Sequence, residues 1–171
     1  VCYADIRIAR FKSSGPIRRA SRARLARGAF PALSLDCNSS SVTAMGSDQG
    51  HPEVFERQLE AFAKKGDVVF ALSTRGNSEN VIRGIEVAKE RGCHVIRMTG
   101  RRGGRMADLV PEGARFRVDS DETSIVQEVT MTVGHLVTKL AEGGAFRGRR
   151  GEAARERLNS AQIETRKVIK P

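Results

Sequence analysis

The apolar positions of this chain change their period repeatedly. "FPALSLD" (30–36) is a short apolar run between turn formers, and "DVVFALS" (67–73) and "HVIRMT" (94–99) are compact runs rich in β-branched residues. All three predict strands, and "ARFRV" (114–118) predicts a weaker one. Between them the spacing lengthens to that of helices. "SSSVTAMGSD" (39–48) reads as a short Ser-capped helix ending at Gly46. "HPEVFERQLEAFAKKG" places Val54, Phe55, Leu59 and Phe62 on one face and closes at Gly66. "SENVIRGIEVAKERG" and "SIVQEVTMTVGHLVTKLAE" predict two further helices, and no internal repeat is visible. Strands alternating with helices of this length predict an α/β fold, a three-layer sandwich with a parallel sheet covered on both faces.

Length and composition narrow the class. With 171 residues, 39% of them apolar, the chain is expected to form one ordinary domain with a real core. It contains no apolar run of the ~18 residues needed to cross a bilayer. The opening "VCYADIRIARF" lacks the apolar stretch and cleavage site of a signal peptide. Cys2, Cys37 and Cys93 are odd in number and far apart, which fits a reduced, cytoplasmic protein.

The net charge of +10 raises the question of nucleic acid. Residues 1–30 carry eight Lys/Arg and one acid, and residues 144–171 carry eight and three. Of 30 basic and 20 acidic residues, the middle of the chain therefore keeps 14 and 16. The basicity belongs to the ends. With aromatics at 5%, no Trp and no interleaved stacking pattern, these ends are expected to be solvated rather than a specific nucleic-acid site.

Candidate chemistry gathers in "ALSTRGNSENV" (71–81). In a parallel sheet, ligands bind where strand C-termini meet the following helix N-termini. Ser73 is expected to end a strand, Gly76 to permit a tight turn, and Ser78 to cap the next helix. N–H groups at a helix start and nearby hydroxyls favour an anion. The loop has neither the following Lys of a nucleotide P-loop nor a G-x-G-x-x-G pattern, and an ordinary cap and turn is the alternative.

"LSTRGNSENVIRGIEVAKERG", followed by "HVIRMTGRRGGRMADLV" and "TSIVQEVTMTVGHLVTKLAE", resembles the sugar isomerase (SIS) domain, a flavodoxin-like fold, and within it the phosphoheptose isomerase group. The resemblance covers about residues 29–143, leaving 1–28 as a basic, atypical N-terminal segment and 144–171 as a basic linker or tail. It implies conversion of sedoheptulose 7-phosphate to glycero-manno-heptose 7-phosphate for lipopolysaccharide heptose, by aldose–ketose isomerisation through an enediol. It also implies a sugar-phosphate site and an active site shared within a homotetramer. Ser73, Thr74 and Ser78 match the phosphate loop, with Arg75 either adding charge to the phosphate or pointing to solvent. Ser47 and Asp48 match a pair that contacts the sugar chain, with a turn as the alternative role of Asp48. Gln127 and His135 match residues that bind zinc and contact substrate, His135 also serving as acid or base. His51 and His94 match no functional position and default to structural roles.

The resemblance also implies a Glu, a further His and a first phosphate loop, "GNGGS", ahead of residue 29, and none has a clear counterpart here. "YADIRIARFK" is similar to the end of the helix that bears the His and Glu, with Asp5 near the Glu position. The zinc ligand set is thus incomplete, the first, central strand of the sheet is expected to be missing, and the N-terminus reads as truncated or altered. Beyond the domain, "EAARERLNSAQIETRKVIKP" allows a short helix over 152–164. A second function class stays open: a non-catalytic SIS module that binds a sugar phosphate as a signal or associates with the replication initiator DnaA.

Overall fold

The computed structural model describes residues 4–9, 31–110 and 115–141. The chain divides into two compact units. Val1–Lys12 and Phe30–Val133 form the first, while Gly134–Pro171 belongs with Ser13–Ala29 in the second. The sheet and its packed helices lie in the first unit; the second contributes 134–141 to the described residues. The helix suggested for 152–164 lies outside the described residues.

Five strands form an open mixed sheet in the order β2-β1-β3-β4-β5. They are β1 (Ala4–Ala9), β2 (Ala32–Ser34), β3 (Val68–Ser73), β4 (His94–Thr99) and β5 (Arg115–Arg117). β3, β4 and β5 are parallel, whereas β1 runs antiparallel to both β2 and β3. Two expectations are corrected by this. The sheet is not wholly parallel, and a strand from the N-terminal segment, β1, pairs with β3 where a missing strand was expected. The segment resembling the end of a helix is strand β1, so Asp5 stands on a strand, opposite Leu72. The reason lies in the period: Ile6 and Ile8, two residues apart, are buried, while Arg7 between them is exposed. Ile6 pairs with Ala71 and Ile8 with Val69, which continues the apolar face of β3 onto β1.

One face of the sheet is covered by α2 (Val54–Phe62) and α3 (Glu79–Glu90). Ile6, Ile8, Val69, Ala71 and Val95 on the strands meet Val54, Phe55, Leu59, Val81, Ile82, Ile85 and Ala88 on the helices. Burial of each of the larger side chains contributes about 1.5–3 kcal/mol. The apolar face of α2 differs from the expected one at its end, because Phe62 is 52% exposed and the buried stripe passes through Gln58. Gln58 tolerates burial because its Nε2 donates to the carbonyls of Leu35 (2.9 Å) and Val54 (3.0 Å). Upstream, α1 (Ser39–Asp48) is capped by Asn38, whose Oδ1 accepts from the Ser41 N–H at 3.1 Å. It runs past Gly46, and the chain turns instead at Gly50, with φ +100°. A single 3-10 turn, His51–Glu53, leads into α2. A four-residue helix α4 (Met106–Leu109) follows β4, and a helix α5 spans 123–141. Among the described residues no helix is long and apolar enough to cross a membrane.

Candidate functional site

β3 delivers Ser73, 2% exposed, to the C-terminal edge of the sheet, and the chain reverses at once through Gly76, whose φ of +70° favours glycine. The Gly76 N–H donates to both the backbone oxygen and the Oγ of Ser73, each at 3.2 Å. Ser78 occupies the N-cap position of α3 as the sequence predicts, but its hydroxyl does not cap the helix. It lies 2.8 Å from Ser73 Oγ instead, so the two serines close the loop on each other. The Val81 N–H donates to Ser78 O (3.0 Å) and Asn80 Oδ1 (2.9 Å) and the Ile82 N–H to Ser78 O (3.0 Å), so with no side-chain cap from Ser78 it is the Glu79 and Asn80 N–H groups that face an incoming anion. Thr74 is buried within the loop and Arg75 is exposed, which places the Arg75 charge at the solvent side.

The loop is braced from outside by the segment after β4. Thr74 O accepts from the Gly100 N–H at 3.0 Å and Gly76 O from the Met106 N–H at 3.0 Å. Asn77 Oδ1 accepts from the Arg105 N–H at 2.8 Å. The backbones approach so closely that a Cβ on Gly76 would stand 1.9 Å from the Gly103 oxygen, and one on Gly104 2.4 Å from the Arg75 oxygen. Glu79, the acidic residue in the first turn of α3, is matched by ion pairs to Arg105 and to Arg83 (3.8 Å). Its carboxylate therefore opposes an anion at the helix start less than its position suggests.

Ser73, Thr74 and Ser78 thus come together in one loop. Ser47 and Asp48 lie exposed at the end of α1. Gln127, half-buried, and His135, exposed, both stand on α5, eight residues apart. His135 belongs to the second unit and Gln127 to the first. The structure adds residues that sequence reasoning passes over. His51 Nε2 lies 3.3 Å from Nδ2 of the buried Asn80, in the first turn of α3, so His51, expected to be structural, adjoins the helix start that follows the loop. Asn77 and the glycines of "TGRRGG" brace the loop; their signal was the glycine pair itself, with no indication of what it meets.

The zinc implied by resemblance finds no complete ligand set among the described residues. No group of three His, Cys, Asp or Glu converges there, and Gln127 with His135 supplies one imidazole and one amide, a weak zinc donor. No step below depends on zinc.

The chain matches the family model described as SIS domain over residues 16–100. A probable phosphoheptose isomerase from Thermoplasma volcanium is 46% identical over 116 residues, covering 68% of this chain and 58% of that protein. The protein of the same name from Thermoplasma acidophilum is 49% identical over 111 residues, 65% of this chain and 60% of the relative. Among solved structures, phosphoheptose isomerase from Neisseria gonorrhoeae matches with a TM-score of 0.60 at 36% identity, over 63% of this chain and 60% of that one. A phosphoheptose isomerase from Francisella tularensis matches with a TM-score of 0.65 at 28% identity, over 67% and 61%. The chain spans about three fifths of the length of these relatives. The strand–hydroxyl loop–helix unit and these similarities agree: the chain belongs to the SIS domain family.

Proposed function

We propose that this chain binds a sugar phosphate at the 73–78 loop and belongs to a phosphoheptose isomerase, acting on sedoheptulose 7-phosphate within a homo-oligomer. The single observation that carries the reading is the Ser73–Ser78 closure at the end of β3, beside the uncapped start of α3. The two hydroxyls, Thr74 and the Glu79 and Asn80 N–H groups at the start of α3 supply donors for the phosphate oxygens, and the exposed Arg75 adds positive charge at the rim. Anchoring the phosphate fixes the sugar chain, so that a proton can be moved between adjacent carbons without loss of register. Isomerisation through an enediol needs a base at the C–H, an acid at the carbonyl oxygen and stabilisation of the oxyanion. His135 is the candidate acid or base, with Gln127 as a substrate contact; both roles rest on the family resemblance.

The test is calorimetric titration of the chain with sedoheptulose 7-phosphate. The serine hydroxyls bond each other and the Gly76 N–H keeps the Ser73 backbone oxygen as acceptor, so changing both to Ala leaves no buried partner unsatisfied and costs the fold little. Ser73→Ala with Ser78→Ala should weaken binding by about 2–3 kcal/mol, roughly 1–1.5 for each lost hydrogen bond. An unchanged affinity would remove the loop from the site.

A further inference from the structure

The 3-10 turn His51–Glu53 is pinned to α3 at two points one helical turn apart. His51 meets Asn80, and Glu53 Oε1 lies 3.2 Å from Arg83 Nη1, with Glu56 Oε2 3.5 Å from the same nitrogen. Gly50, at φ +100°, leads the chain into this turn from the end of α1, and Pro52 fixes one backbone angle directly after His51. The His51 ring is therefore carried on a short, doubly anchored turn against the first turn of α3.

The Asn80 side chain decides which ring nitrogen carries the proton. Asn80 is 5% exposed, and its Oδ1 accepts from the Val81 N–H at 2.9 Å, which turns Nδ2 toward His51 Nε2 at 3.3 Å. An amide nitrogen donates, so Nε2 accepts and the ring proton stands on Nδ1. Among the described residues His51 Nδ1 has no hydrogen-bond partner, and the residue is exposed. The result is an oriented donor without an acceptor, beside the helix start whose Glu79 and Asn80 N–H groups face the phosphate. The phosphate oxygens already have those groups, the two serine hydroxyls and Thr74. What has no assigned partner at the helix start is the sugar chain that extends from the phosphate, and a neutral N–H suits its neutral oxygens.

We infer that His51 is a specificity-determining residue of this site: its Nδ1–H donates to a hydroxyl or carbonyl oxygen of the sugar chain whose phosphate is held at the start of α3, and Asn80 positions the ring for that contact. The inference rests on the sugar-phosphate reading of the loop and adds to it a contact that separates a sugar phosphate from a bare phosphate.

The test is calorimetric titration of the full chain with sedoheptulose 7-phosphate and, separately, with inorganic phosphate, for His51→Ala, Asn80→Ala, their combination and Ser73→Ala/Ser78→Ala. His51→Ala, an exposed change, should weaken sugar-phosphate binding about fivefold, the scale of one hydrogen bond, and leave inorganic phosphate unchanged. Asn80→Ala leaves the Val81 N–H with Ser78 O as acceptor and should also weaken the sugar phosphate alone. Because Asn80 acts through the ring, it should add little in the His51→Ala background, a non-additivity that a merely structural role would not produce. Unchanged sugar-phosphate affinity in His51→Ala, or an equal loss of both ligands, overturns the inference. If the double-serine variant loses both ligands while His51→Ala loses neither, only this inference falls and the loop keeps its role. If the double-serine variant binds both ligands as the unsubstituted chain does, the reading of the loop fails and the inference falls with it.

Discussion

A methyl group on Gly104 would meet the Arg75 oxygen at 2.4 Å and Asn77 Oδ1 at 2.6 Å, on a backbone already at φ +54°. Gly104→Ala must therefore push the bracing segment off the hydroxyl loop as well as hold a left-handed conformation, a cost of about 1–2 kcal/mol for the backbone alone. Asn77→Ala removes the acceptor for the Arg105 N–H and should cost about 1 kcal/mol. Both changes should lower affinity for sedoheptulose 7-phosphate, with Gly104→Ala the more damaging, in parallel thermal melts and titrations. Full affinity in Gly104→Ala would show that the brace does not shape the loop. At this scale the hydroxyls were legible, because Ser73, Thr74 and Ser78 follow an apolar strand directly and precede a helical pattern. The brace was not. Its two halves lie more than twenty residues apart, and a glycine pair in a sequence does not show what it lets approach.

The elements whose periodicity extends over a dozen residues, such as α3, match their sequence pattern because one face must be buried along the whole length. α2 follows its pattern until the last turn, where Gln58 replaces Phe62 in the buried stripe by bonding two carbonyls. β1 departs from its expectation for another reason. Its Ile-Arg-Ile alternation is a strand signal, but the strand is six residues long and its sequence also resembles a helix end. The structure ties β1 to the rest of the core through Gly84 on α3, where an added Cβ would come within 2.4 Å of Ile6 Cδ1 and 3.2 Å of Leu59 Cδ1. Gly84→Ala gains about 1 kcal/mol in helix propensity, against about 1–3 kcal/mol for overpacking. The net effect should be destabilising. Shortening the opposing side chain with Ile6→Val or Ile6→Ala relieves the clash, so a double-mutant cycle in urea should show a favourable coupling of about 1 kcal/mol. Strict additivity would mean that β1 does not pack beneath α3.

At the scale of the whole molecule, binding and turnover place different demands on the chain. The hydroxyl loop, its brace and the uncapped helix start all belong to the first compact unit and are complete within it. The residues that the resemblance assigns to acid–base chemistry are not assembled in the same way. Asp5 stands on β1 rather than on a helix, and Gln127 with His135 provides no metal set among the described residues. Removing a general acid or base typically costs 10²- to 10⁴-fold in rate while leaving ground-state anchoring in place. The 171-residue chain should therefore retain millimolar or tighter affinity for sedoheptulose 7-phosphate while converting it at least about 10²-fold more slowly than a relative such as the Thermoplasma volcanium protein. Calorimetry for binding and product formation for turnover, each with and without added zinc, separate the two quantities. Equal turnover in the two proteins would show that a base and an acid are both supplied within these 171 residues, and that a strand-borne Asp5 or a loop neighbour such as His51 takes the part assigned by resemblance to the glutamate.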